Sequence, residues 1–81
     1  MGRFYFHLQS EDRIVPDNER LDLPDLSSAQ HEAIEAAREI LAEAIRTGKR
    51  EVPEAFVIAD EEGRALALVP FTTVLPRPLR K

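Results

Sequence analysis

Cysteine is absent from the 81 residues, which excludes a disulfide framework, thiolate metal sites and a cysteine nucleophile. Tryptophan is absent as well, and only three glycines are present. There is accordingly no indole to stack on a base and no glycine-rich loop to cradle a phosphate. Apolar runs stop after a handful of residues, far short of the roughly 20 needed to span a bilayer. The opening Met1-Gly2-Arg3-Phe4 lacks the long apolar stretch and small-residue cleavage site of a signal peptide, so the expected location is cytoplasmic.

What is present describes an ordinary folded chain. Hydrophobic residues make up 43% and charged residues 32%, with 11 basic against 15 acidic side chains and a net charge of −4. That balance is far from a disordered composition. The length fits one small domain, which hides only about 60–65% of its unfolded surface. A core that small leaves little room for a buried active site, and it gains from a partner surface.

The first element is a strand, Arg3-Phe4-Tyr5-Phe6-His7-Leu8, with Phe4, Phe6 and Leu8 on one face and Tyr5 and His7 on the other. A polar, acidic stretch runs from Gln9 to Asp22. It is broken by Ile14-Val15 and by Pro16, and reads as a hairpin return or second edge strand around Arg13-Ile14-Val15, with a turn at Pro16 and Asp17-Asn18. Asp25, Ser27 and Ser28 can all cap the helix that follows, and Ser27 with Gln30 has capping-box spacing. From Ala29 to Thr47 there is no Gly or Pro, and Ala29, Ala33, Ala36, Ala37, Ile40, Leu41, Ala44 and Ile45 fall on one half of the wheel. Gly48 stands where a left-handed terminating residue belongs.

A hairpin closes the pattern, Glu54 to Ala59 and Arg64 to Phe71, joined by Asp60-Glu61-Glu62-Gly63. A type I turn closed by a Gly bulge pairs Asp60 with Arg64. That register sets Ile58 opposite Leu66 and Phe56 opposite Leu68, leaving Ala55, Val57, Ala59, Ala65, Ala67 and Val69 on the other face. The expected fold is an α+β two-layer domain, β-(β)-α-β-β, with an antiparallel sheet of three or four strands and one long helix on one face. Residues 1–71 form the domain, and residues 72–81, with Pro76, Arg77, Pro78, Arg80 and Lys81, form an extended or frayed tail.

The strand Arg3–Leu8, the run Leu21-Asp22-Leu23-Pro24-Asp25-Leu26 into an Ala-rich helix, Asp60-Glu61-Glu62-Gly63-Arg64 and Val69-Pro70-Phe71 together resemble a family of short proteobacterial proteins. That family, of a type common in rhizobial genomes, is catalogued as a domain of unknown function. The resemblance covers nearly the whole chain and implies a bacterial cytoplasmic protein with no assigned activity, so no catalytic residue is carried over. Ser10-Glu11-Asp12-Arg13 departs from the family in lacking a Gly in its turn. A more distant likeness, at the level of fold, is to HicB-type antitoxins, where an aromatic strand also precedes a Pro-Asp-Leu segment and an Ala/Glu-rich helix. Here Pro24-Asp25-Leu26 enters the helix directly, and no DNA-binding segment follows.

Chemistry finds few candidates. Asp25, Ser27, Ser28 and His31 contain the residue types of a hydrolase, but they are equally what a helix start requires, and no Gly-rich elbow surrounds either serine. A metal site would have to combine His7 and His31 with Asp12 or Asp60, without any close-spaced ligand pair. The Asp60–Gly63 loop lacks the alternating oxygens of a calcium loop. No catalytic residue, cofactor or metal is expected. Glu32, Glu35, Glu39 and Glu43 form an acidic stripe on the exposed half of the helix, which repels a phosphate backbone, so nucleic acid is not expected as a partner. No small-molecule substrate or membrane is implied either.

The most informative feature is the second sheet face, expected to carry Tyr5, His7, Val57, Ala67 and Val69. A sheet face open to water normally alternates to charged or hydroxyl residues; this one is small and apolar. Either Gln9–Asp22 or the tail Phe71–Leu79 folds over it, or another chain packs there. The leading expectation is a non-enzymatic interaction module, a homodimer joined through this face or an edge strand. The alternative is an antitoxin-like regulator that masks a basic partner protein with its acidic surface.

Overall fold

The computed structural model describes residues 2–16 and 20–79. Its elements are β1 (Gly2–Ser10), β2 (Arg13–Val15), β3 (Arg20–Leu23), α1 (Leu26–Thr47), β4 (Ala55–Ala59), β5 (Ala65–Pro70) and a 3-10 turn at Phe71–Val74. The fold is α+β, one long helix on an antiparallel sheet, and the sheet has five strands rather than three or four. β4 and β1 are central and β5 is one edge. On the other side of β1, β2 lies beside Leu8–Ser10 and β3 beside Gly2–Tyr5. β3 is the strand that the polar character of Gln9–Asp22 concealed: Leu21 pairs with Phe4 and Leu23 with Gly2, while Arg20 and Asp22 take the opposite face. The turn expected at Pro16 and Asp17-Asn18 falls largely outside the described residues.

Helix α1 begins three residues earlier than its apolar pattern, at Leu26. Asp25, with extended backbone, is its N-cap and accepts the Ser28 N–H at 2.9 Å; the Ser27–Gln30 capping box is not the device used, because Asp25 already satisfies the first turn. At the other end Gly48 takes φ 79° and the Lys49 N–H closes onto the Ala44 carbonyl at 2.8 Å, a left-handed termination that a Cβ would oppose. Ala29, Ala33 and Ala37 are fully buried. Four-residue spacing aligns them in one row, and their small side chains let the helix axis lie close to the sheet. Ile45 lies about 120° around the wheel from that row's centre and is 76% exposed.

The space between the layers is filled from the sheet by Phe4, Phe6, Phe56, Ile58 and Val69, and from the 3-10 turn by Phe71. Phe56 is the hub, with ring centroids 6.0 Å from Phe6 and 5.4 Å from Phe71. Each such ring contributes about 1.5–3 kcal/mol on burial. Val74 also packs against this cluster. Where the sequence suggests a tail from Thr72, the packed chain therefore continues to Val74, because Phe71 anchors the turn.

The β4–β5 hairpin departs from the expected register. The loop itself forms as anticipated: the Asp60 N–H donates to the Arg64 carbonyl at 3.0 Å, and Gly63, at φ 85°, donates its N–H to Asp60. Ala59 then pairs with Ala65. Beyond that point Ile58 pairs with Ala67 and Phe56 with Val69, so Leu66 is an extra residue, a β-bulge. The expected pairs Ile58–Leu66 and Phe56–Leu68 do not occur. Ala67 and Val69 belong to the helix-covered face, and Leu66 and Leu68 are exposed.

Candidate functional site

The face of the sheet away from α1 is organised in transverse rows. Tyr5, Ala59 and Ala65 form one; His7, Val57 and Leu68 form the next; Gln9, Ala55 and Pro70 form the third. β3 extends the first row with Arg20, and β2 extends the third with Ile14. Strand alternation makes this assignment rigid, since side chains two residues apart share a face. Of the five residues the sequence assigns to this face, Tyr5, His7 and Val57 come together here. Ala67 and Val69 do not, because the bulge at Leu66 turns them inward. Leu68 is the residue that sequence reasoning missed. An unbulged hairpin buries it, and nothing in the sequence marks the bulge.

The face has relief. Its centre follows β4, where Ala55, Val57 and Ala59 are 4%, 9% and 2% exposed. One wall is the Tyr5–His7 pair on β1, both half-buried, with rings stacked at 6.3 Å between centroids and 23° between planes. The other is Leu68 on β5, 56% exposed. Two strand spacings, about 10 Å between backbones, separate β1 from β5. Polar groups gather at one corner, where Arg3 lies 2.8 Å from Glu61 and 3.7 Å from Asp22.

The adjoining hairpin loop is held by Asp60. Its carboxylate accepts the N–H groups of Glu62 and Arg64 at 3.0 and 2.9 Å and the Arg64 Nε at 3.0 Å. The Arg64 N–H, and then its guanidinium, hold the Asp60 carboxyl below the ordinary carboxylate range, while Asp60 raises Arg64. Those contacts stiffen the loop next to the polar corner.

The hydrolase-like cluster lies at the start of α1. Ser27, Ser28 and His31 line a shallow surface depression with Leu23, Pro24 and Glu32. Ser28 is engaged by the capping carboxylate of Asp25, which its N–H holds below the usual range. His7 and His31 are carried by opposite layers. Among the described residues no three His, Asp or Glu side chains converge as metal ligands. On the outer face of α1, Arg38 pairs with Glu35 and Arg46 with Glu43, neutralising half of the acidic stripe. No helix among the described residues is long and apolar enough to cross a membrane.

One family model matches residues 3–72, and its description reads domain of unknown function (DUF6894). The chain belongs to this family. The matched span contains α1, β2 to β5 and all but the first residue of β1, so the DUF6894 unit is the two-layer domain itself, open face included. No curated protein and no solved structure matches the chain.

Proposed function

We propose that this DUF6894 domain is a non-enzymatic interaction module of the bacterial cytoplasm that self-associates as a homodimer through the open face of its sheet. The observation that carries this reading is the position of the two segments that were candidates to cover the face. β2 and β3 extend the sheet in its own plane. The chain after β5 turns toward the helix layer, where Phe71 and Val74 join the core. Leu68, 56% exposed, and Leu66, 42% exposed, remain at the surface of β5, and exposed apolar surface of this kind marks association sites.

The face is a better candidate than the edge of β5. The Phe71 N–H donates to the Glu54 carbonyl, and pairing alternates from there, so Leu68 and Pro70 are the residues whose backbone groups turn outward. Pro70 has no N–H to offer, and the bulge at Leu66 breaks the line, both common protections of an edge against pairing. The antitoxin-like alternative has less support, since two of the four stripe carboxylates already have arginine partners.

Strand spacing and rise give the patch a projected area of roughly 300 Å² over β1, β4 and β5 and their flanks. A standard interface takes about 800 Å² per partner. The expected dimer is therefore weak and concentration-dependent. Leu68→Asp tests it without threatening the core. Half-burying a leucine contributes about 1 kcal/mol, twice over in a two-fold dimer, so the variant's dissociation constant rises about 30-fold or more. Light scattering across concentrations reads the mass, and circular dichroism confirms the helix. A wild-type chain that stays monomeric, or a variant that dimerises equally well, refutes the proposal.

A further inference from the structure

β1 is held on its two sides by unequal means. Against β4 it pairs from Tyr5 to Gln9, beside a strand whose residues are all buried. On its other side it carries two separate short ladders, Leu8–Ser10 with β2 and Gly2–Tyr5 with β3. Every residue of β2 is exposed, as are Arg20, Leu21 and Asp22 of β3. Leu23 is the residue of these two strands that packs against the core, as does Leu26 at the start of α1. Their side chains otherwise contribute the Arg3–Asp22 ion pair, 3.7 Å long between half-exposed groups, and surface pairs of that kind add little stability. We infer that β2 and β3 form a strap that opens from β1 while α1, β1, β4 and β5 stay folded.

Segments that bury little and keep their backbone hydrogen bonds at the surface open at a lower free energy than the core. The ends of the strap suit that motion. Glu11, at φ 54°, turns the chain between β1 and β2, and Leu23 fixes β3 to the core at the entry to α1. While closed, the two strands occupy the outer edge of the nine-residue β1, and an extended chain that pairs with that edge must first displace them. The phase of the ladder identifies the amides that report the opening. The Phe71 N–H donates to the Glu54 carbonyl, so the even-numbered residues of β4 turn their backbone groups to β5 and the odd-numbered ones to β1. Tyr5, His7 and Gln9 therefore bond to β4, and Phe4 and Leu8 bond to β3 and β2. Neighbouring amides of one strand thus belong to two different opening units.

Native-state hydrogen exchange followed by NMR, at a concentration where the chain is monomeric, tests the strap independently of the self-association proposed above. After correction for intrinsic rates, the Phe4, Leu8, Val15 and Leu21 amides are expected to exchange about 100-fold faster, or more, than those of Tyr5, His7, Val57 and Ala59. A core variant separates the two classes further. Ile58→Val weakens packing that survives when the strap opens, so it should speed the β1–β4 amides about fivefold and leave the strap amides unchanged. Equal rates along β1, or an equal response of both classes to Ile58→Val, would mean that β2 and β3 leave only when the whole domain unfolds, and the inference falls. Fast exchange at Tyr5 and His7 as well would also overturn it, because β1 would then part from β4 together with the strap.

Discussion

Leu68 and Val69 are neighbours in sequence, and the same substitution at each should have opposite consequences. Val69 is 6% exposed, packed in a cluster with Phe56, Ile58 and Phe71 that contains no buried polar side chain. Val69→Asp forfeits about 1.5–2 kcal/mol of apolar burial and introduces a carboxyl with no hydrogen-bonding partner, a further ~2–4 kcal/mol. The sum, about 4–6 kcal/mol, compares with a total stability of about 4–12 kcal/mol for a chain of this length. Leu68→Asp sets a carboxylate in water and changes monomer stability by about 0.5–1 kcal/mol at most. Urea unfolding followed by circular dichroism, at concentrations below dimerisation, separates the two. With an m-value near 1 kcal/mol/M, the Leu68→Asp midpoint should move by less than about 1 M, while the Val69→Asp midpoint should fall by about 4–6 M, which unfolds the variant without urea wherever the wild-type midpoint lies below that. The reverse result, a stable Val69→Asp and an unfolded Leu68→Asp, would mean that the hairpin has no bulge. The assignment of the open face would fall with it.

Glu11 takes φ 54° in the two-residue β1–β2 turn, a conformation that costs an L-residue about 1–2 kcal/mol and glycine much less. Glu11→Gly should therefore raise the unfolding free energy by about 0.5 kcal/mol in the same urea assay, and a loss of stability would contradict the turn geometry. Asp25 and Asp60 both have carboxyl groups held below their ordinary range by backbone N–H donors, so the stability they contribute is present above the unfolded carboxylate range and is lost as pH falls through the folded values, below about pH 4. Melting temperature should decline over that window, and less steeply in Asp25→Asn, which retains the capping oxygen but does not titrate; an unchanged slope would remove Asp25 from the account.

Much of the fold is legible in the residues because several signals agree. Alternation in Arg3–Leu8 identifies β1, four-residue alanine spacing identifies the buried side of α1, and Gly48 and Gly63 mark two of the three positions with positive φ among the described residues. Where signals are short or carried by charge, the reading fails. Arg20-Leu21-Asp22-Leu23 spans four residues with two charges, and it becomes a strand only because β1 presents a long unpaired edge to it. Helix entry is set by Asp25 rather than by the later serines, since the first residue able to cap leaves the others nothing to satisfy. Tyr5, His7 and Val57 were assignable to the open face from period alone. Leu68 was not, because a bulge is decided by packing across the layers and leaves no mark on the strand that contains it.

That packing can be argued directly. An unbulged hairpin would direct Leu66 and Leu68 at the helix, beside Phe56 and Ile58. The helix meets the sheet there through Ala29, Ala33 and Ala37, all fully buried, and so lies close. Four phenylalanine rings, Phe4, Phe6, Phe56 and Phe71, already fill the layer between. Two leucines more would overpack it, at about 1–3 kcal/mol for each misfit. Inserting Leu66 as an extra residue substitutes Ala67 and Val69, which fit under the alanine row, and the lost ladder pairing falls next to the edge, where it costs least. The same shift turns Leu68 out beside Val57. The exposure of Leu68 is thus a consequence of the alanine-rich helix: the closer α1 lies to the sheet, the less volume β5 can direct inward, and the larger the side chain left outside.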